Sequence, residues 1–169
     1  MREGVMDFKV YEGTTNYLGI ASVALPEITQ KMLTVSGAGL GGDYEIPTGK
    51  VDAMSMTIRF RSLTYQQQQL TYMRKHTIEL RAAHLYDDPT YKNVSANLIK
   101  YVAVIMPKKI TMGEISPASP QPVEGEFAVH KIEMYYGNEL WLKVDPANNI
   151  YWDRYNGNFL DRYNKLLGG

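Results

Sequence analysis

Alternation of apolar and polar positions is clearest over residues 51–61. Met54, Met56, Ile58 and Phe60 fall on one side, and Ser55, Thr57, Arg59 and Arg61 on the other. A period of two sends successive side chains to opposite faces, so the segment predicts a strand with one buried face and one wet or partnered face. Residues 77–85 repeat the pattern, with Ile78, Leu80 and Ala82 opposite Glu79 and Arg81. Residues 97–106 are apolar on both sides, as in a strand covered on both faces. Another strand is predicted at 28–35, where Ile28, Met32 and Val35 are separated by polar residues. Residues 8–25 read as two short strands joined by the turn formers of 12–16 and closed by Pro26. Residues 126–136 and 138–144 form a hairpin around Gly137-Asn138, and 145–149 a further turn.

Two helices are predicted. Residues 62–75 hold Thr64 and Gln67 in capping-box spacing, Tyr65, Gln69, Tyr72 and Met73 near helical spacing, and Arg74 and Lys75 in the last turn. Residues 158–167 start at Asn158 and Asp161 and carry one apolar stripe of Phe159, Leu160, Tyr163, Leu166 and Leu167. The remaining stretches are irregular. Residues 1–8 read as an N-terminal arm and 107–123 as a connection broken by Pro117, Pro120 and Pro122. Residues 36–50 form a Gly-rich loop without apolar period, longer than most loops of a compact domain, a length associated with function or with ordering on a partner. The expected architecture is mainly β (α+β). It is an antiparallel β-sandwich or barrel of seven or eight strands, with one internal helix, a short C-terminal helix and a long inter-strand loop.

The length of 169 residues fits one domain over 1–169. The absence of cysteine removes disulfides, thiolate metal sites and thiol nucleophiles. The 18 basic and 18 acidic residues balance, against the basic excess of a dedicated nucleic-acid-binding domain. Zero net charge also weakens repulsion between copies and is compatible with assembly. The first ten residues hold no apolar signal segment, and the longest apolar run, 101–106, is far below the ~20 residues that span a bilayer. The expectation is a chain made soluble in the cytoplasm without stable membrane insertion.

Residues 37–42 match G-x-G-x-x-G, but the turn formers and Pro47 that follow leave no helix to hold a pyrophosphate, so the match reads as a flexible loop. His76, His84 and His130 have no second histidine at metal-ligand spacing. Asp87-Asp88 and the pair Glu124 and Glu126 read as solvated charges, because proximity in sequence does not place two carboxylates across a cleft. There is no nucleophile elbow. No enzyme and no cofactor are therefore expected. Thirteen tyrosines, with Trp141 and Trp152, are the compositional anomaly. Core and subunit interface both account for them, whereas base-stacking platforms need a basic groove.

The order of motifs adds to this reading. A strand pair ends in Ser22-Val23-Ala24-Leu25-Pro26-Glu27-Ile28-Thr29, the Gly-rich segment follows, and Asp52-Ala53-Met54-Ser55-Met56 opens a strand before a helix. The chain closes with residues 136–145 (YGNELWLKVD) and 161–168 (DRYNKLLG). This order and spacing resembles the major tail tube protein family of contractile-tailed bacteriophages and related phage-tail-like bacteriocins, most strongly at 16–60 and 133–168. The resemblance implies a structural subunit of a β-sandwich or barrel fold, forming six-subunit rings that stack into a hollow tube inside a contractile sheath. It further implies partners in the sheath, baseplate and tail terminator, residence in the virion after assembly in the host cytoplasm, and phage DNA passing through the lumen without sequence-specific binding. In a bacteriocin the tube would perforate a membrane instead.

On that reading Phe8 of the arm, then Gly37, Gly39, Leu40, Gly41, Gly42, Tyr44 and Ile46 of the loop, and Arg59 and Arg61 of the polar strand face are the expected inter-subunit or inter-ring contacts. A DNA-conducting lumen is expected to be neutral or acidic, because clustered Lys and Arg bind phosphates. The alternative reading is a soluble monomeric ligand- or carbohydrate-binding β-domain.

Overall fold

Strand-forming patterns dominate the fold as they dominate the sequence. The computed structural model describes residues 2–13, 16–17, 20–60, 65–88, 90 and 93–168. The first half contains β1 (Arg2–Glu12), β2 (Asn16–Tyr17), β3 (Ile20–Ala24), β4 (Gln30–Val35), β5 (Tyr44–Val51), β6 (Met54–Phe60) and α1 (Tyr65–Gln68). The second contains β7 (His76–Asp88), β8 (Asn93–Thr111), β9 (Val123–Tyr136), β10 (Glu139–Asp145), β11 (Ile150–Asp153), β12 (Gly157–Asn158) and α2 (Asp161–Leu166). All strand pairs are antiparallel. The mainly β, α+β class expected from the pattern is the observed one.

The large sheet runs β12-β11-β10-β9-β8-β7-β1-β2. β9 forks it. One edge of β9 lies along β8, while the other pairs with β6 over Val123–Val129 and with β10 over Ile132–Tyr136. β6 then carries β3 on its far side. The fork wraps β3 and β6 over the inner face of β1, β7 and β8, which closes the core. Its apolar layer joins Met54, Met56, Ile58 and Phe60 of β6 to Val10, Ile78, Leu80, Ala103, Ile105, Phe127 and Val129. The alternation over residues 51–61 is thus realised, with Ser55, Thr57 and Arg59 facing outward. The hairpin at Gly137-Asn138 also forms, with Gly137 at φ +62°, the left-handed conformation that a first central Gly allows in a tight hairpin turn.

Five boundaries differ from the sequence reading. Residues 2–8 are the first part of β1 and pair with β7, so they are no free arm. In the 36–50 segment only residues 36–43 are loop, because Tyr44–Val51 pairs with Gln30–Val35. The irregular stretch of 107–123 shrinks to 112–122. Pro107 lies opposite Phe127 directly before a register shift of β8 against β9, and the strand continues to Thr111.

The 62–75 helix is confined to the single turn of α1 and a 3₁₀ turn at Gln69–Thr71, and its proposed cap, Thr64, lies outside the described residues. Tyr72 is extended at φ −67° and ψ 137°, and its carbonyl is taken by His76 Nε2 at 2.9 Å, so the chain leaves the helix there. Leu70 anchors this segment in the hydrophobic core, and Gln67 of α1 is also buried. The 158–167 helix narrows to Asp161–Leu166, because Asn158 belongs to β12. The Asn158 side chain accepts from the Tyr151 and Leu160 amides and donates to Asp161, so it joins strand to helix from outside.

Candidate assembly surfaces

β4 and β5 form a two-stranded sheet that no other strand joins among the described residues. Their register sets Leu33 opposite Ile46 and Val35 opposite Tyr44. Side chains two apart on a strand share a face, so Leu33, Val35, Tyr44 and Ile46 make one apolar face, while Thr34 and Glu45 point to the other. That apolar face is uncovered: Leu33 is 58% exposed, Tyr44 51% and Ile46 42%. Leu40, in the Gly-rich tip of residues 36–43, adds a further exposed apolar side chain. An isolated two-stranded hairpin with such a face is marginal in water unless something covers it.

The base of the hairpin is held firmly. Gln30 Oε1 accepts from the Gly49 amide at 3.0 Å, the Thr48 hydroxyl donates to the Lys31 carbonyl at 2.6 Å, and the Asp52 amide donates to the Thr29 carbonyl at 2.9 Å. Gly49 adopts φ +84°, and a Cβ there would meet Phe159 Cδ1 at 2.6 Å. The hairpin therefore projects from a fixed root.

A second surface is the outer face of the large sheet. Glu79 accepts two bonds from Arg81, at 3.1 and 3.3 Å, and lies 3.7 Å from Lys100 Nζ. Lys100 sits over the Tyr135 ring, 4.6 Å from its centroid, and Arg81 over the Tyr11 ring at 4.5 Å. The Tyr135 hydroxyl donates to Glu133 at 2.5 Å, and Lys131 Nζ reaches the same carboxylate at 2.8 Å. Burial works against the charge of Glu133, but the bonds from Lys131 and Tyr135 outweigh it and hold the carboxyl below its usual range. The bond to Glu133, then burial, pushes the Tyr135 hydroxyl up to about 12. Alternating charges across β7, β8 and β9 thus form a self-paired ladder, with both carboxylates largely covered by their partners.

A third feature is a wedge between β1 and β3. β1 pairs with β2 only at Tyr11 and Glu12, and β3 pairs with β6 alone among the described residues. The strands splay and leave an apolar cavity of about 260 Å³ lined by Phe8, Val23, Leu25 and Leu80. A further cavity, of about 710 Å³, is an open groove beside Asp52, Lys75, His130, Lys131 and Asp145. Among the described residues no three His, Cys, Asp or Glu side chains converge as metal ligands, and no helix is long and apolar enough to cross a membrane.

The expected contact residues fall in several places. Gly37, Gly39, Leu40, Gly41 and Gly42 occupy the exposed tip, while Tyr44 and Ile46 belong to β5 rather than to a loop. Phe8 is half-buried against the core and lines the wedge. Arg59 lies outward on β6, 3.8 Å from Glu124, and Arg61 lies outside the described residues. The structure therefore gathers Leu40, Tyr44 and Ile46 on the hairpin and leaves Phe8 and Arg59 apart from it. Leu33 was missed as a surface residue. Its signal is the apolar pair Leu33 and Val35 mirrored by Tyr44 and Ile46 across the glycines, a hairpin pattern that a loop reading of 36–50 hides.

Comparison with known proteins follows the same direction. The family model described as phage tail tube protein FII matches residues 2–163. No curated protein matches the chain. Among solved structures the fold is similar to a chain from the extended sheath–tube complex of the PVC extracellular contractile injection system, with TM-score 0.53 and 16% identity over 76% of this chain and 88% of that one. It is also similar to a chain from the extended sheath/tube terminator of that system, with TM-score 0.55 and 12% identity over 78% of this chain and 95% of that one.

Proposed function

This chain belongs to the phage tail tube protein FII family, and we propose that, as a tube subunit, it forms six-membered rings that stack into a hollow conduit inside a contractile sheath. It is part of a phage tail or a particle of that kind. Within the proposal, rings assemble in the host cytoplasm, the sheath, tail terminator and baseplate are the partners, and DNA passes through the bore without sequence-specific binding. Two similar structures come from a sheath–tube complex and a sheath/tube terminator, which supports the first two partners by likeness of fold.

The observation that carries the proposal is the apolar face of exposed Leu33, Tyr44 and Ile46 and half-buried Val35, on a hairpin that no other strand joins among the described residues. A heterologous contact made by such a knob generates rings when it closes and filaments when it does not. The role is structural, with the hairpin as the principal contact between copies. Family membership leaves the reading as a monomeric ligand-binding domain without support.

Negative-stain microscopy of the purified chain tests the proposal. Tubes of uniform width with six-fold end views are expected, and Leu33→Asp should raise the concentration needed for tubes by roughly tenfold or more. A monomer at every concentration and salt, or end views of another symmetry, overturns it.

A further inference from the structure

The register of β1 with β2 pairs Tyr11 with Tyr17 and Glu12 with Asn16. Extended down the strands, it would set Phe8 opposite Ile20 and Val5 opposite Val23. No such rungs form. β3 goes instead with β6, and β1 keeps only β7 over Arg2–Val10. Two backbone edges therefore border one wedge; on β1 the Phe8 amide is taken by Asp7 Oδ1, whereas the edge of β3 away from β6 meets no strand among the described residues. The wedge is apolar within: Val5 and Phe8 come from β1, Val23 and Leu25 from β3 and its exit, and Leu80 and Tyr101 from the strands behind. Its lining holds no carboxylate, lysine or arginine; His84 is its one histidine.

The same chain carries a segment suited to that wedge. β4 has an edge free of β5, and its alternate residues Leu33 and Val35 are apolar. β5 carries Pro47, which lacks an N–H, whereas β4 has no proline and offers a complete edge. Recognition by an added strand requires this combination, main-chain bonds for affinity and alternate side chains for pockets. The wedge lining holds no formally charged side chain and Leu33 and Val35 are apolar, while Lys31, next on that side of β4, stays outside the cavity in water, so the contact buries no unpaired ion. Within one chain they stay apart, since no residue of β4 or β5 lines the wedge.

We propose that the wedge between β1 and β3 receives the β4–β5 hairpin of a second copy, β4 adding to the free edge of β3 while Leu33 and Val35 fill the cavity. The inference rests on the tube-subunit reading and names the surface that the hairpin of one copy meets on the next. The contact is heterologous, knob to wedge, so every copy uses one of each and assembly can propagate.

The chain lacks cysteine, which makes the test clean. Leu33→Cys and Leu25→Cys are made in separate chains at exposed positions, and Val5→Cys serves as a second wedge probe. The variants are mixed under assembly conditions, treated with a short bis-maleimide and examined by denaturing gel and microscopy. A cross-linked dimer is expected from the mixtures, at least tenfold above the amount from either variant alone. Amides of residues 20–24 should exchange at least tenfold more slowly in tubes than in the free subunit. Tubes in which Leu33→Cys captures neither wedge probe, or in which β3 gains no protection, overturn the inference and leave the tube reading standing. Absence of both tubes and cross-links at every concentration overturns the tube reading and the inference with it.

Discussion

Gly49 lies against the side chain of Phe159. A Cβ on Gly49 would lie 2.6 Å from Phe159 Cδ1 and 2.9 Å from Leu160 Cδ2, and the backbone there has φ +84°. The contact ties the root of the β4–β5 hairpin to the segment leading into α2. Gly49→Ala meets both obstacles at once, since a left-handed conformation costs an ordinary residue about 1–2 kcal/mol and the ring must also move. The expected loss is about 2–4 kcal/mol, measured by urea denaturation, with the amides of β4 and β5 exchanging faster. A variant as stable as the parent shows that Phe159 swings away at no cost.

Glu133 and Tyr135 set the pH dependence of the sheet face. The Tyr135 hydroxyl is raised to about 12 by its bond to Glu133 and by burial, so its contribution is complete below the ordinary tyrosine range and lost as pH rises through about 12. Glu133 is held below its usual range, where bonds from Lys131 and Tyr135 outweigh burial, so its contribution is present above the usual carboxylate range and lost as pH falls. Tyr135→Phe should flatten the alkaline limb of stability against pH while leaving most of the acid limb. Glu133→Gln should flatten both. Thermal melts between pH 3 and pH 12 check this, and an unchanged alkaline limb in Tyr135→Phe refutes the assignment.

His76 is fully buried, with Nδ1 2.8 Å from Glu12 Oε1 and Nε2 2.9 Å from the Tyr72 carbonyl. Arg74 donates to the same Glu12 oxygen at 2.9 Å. His76→Ala opens a cavity and strips a buried carboxylate of a partner, for an expected loss of about 2–4 kcal/mol. Tyr72→Phe keeps the carbonyl and should stay within about 0.5 kcal/mol of the parent. Chemical denaturation of both variants decides it, since comparable losses would place the stabilisation in the Tyr72 hydroxyl instead.

Legibility in the sequence tracked how local the determining forces are. The strands of residues 54–60 and 78–82 and the hairpin at Gly137 are written in alternation and turn chemistry, which neighbours in sequence decide. The exit from the 3₁₀ turn that follows α1 is marked by His76, which takes the Tyr72 carbonyl from the start of the next strand, and no window over 62–75 contains that competition. The connection expected over 107–123 starts later, because β8 pairs with β9 through Pro107 and past a register shift to Thr111, a fact of pairing rather than of propensity. The pattern of Tyr44 and Ile46 was present but read as loop, because Gly49 and Pro47 signal turns when their cross-strand partners are unknown. The charged ladder of Glu79, Arg81, Lys100 and Glu133 was the least legible, since it joins three strands whose register only the fold defines.

The tip of the hairpin separates folding from assembly. Gly39 has φ +89°, and no heavy atom beyond its chain neighbours lies within 4 Å of the position its Cβ would take, so the glycine serves the backbone path rather than packing. Gly39→Pro forces φ toward about −65° and must redirect residues 36–43, carrying Leu40 to a new position. Nothing in the core depends on that path, because residues 36–43 are exposed throughout. The melting temperature is therefore expected to stay within about 2 °C of the parent, while tube formation falls at least tenfold by light scattering and microscopy. Deleting residues 37–42 should act in the same direction and more strongly. A folded Gly39→Pro subunit that polymerises like the parent would confine the contact to the strand face of Leu33, Val35, Tyr44 and Ile46 and leave the glycine tip as surface.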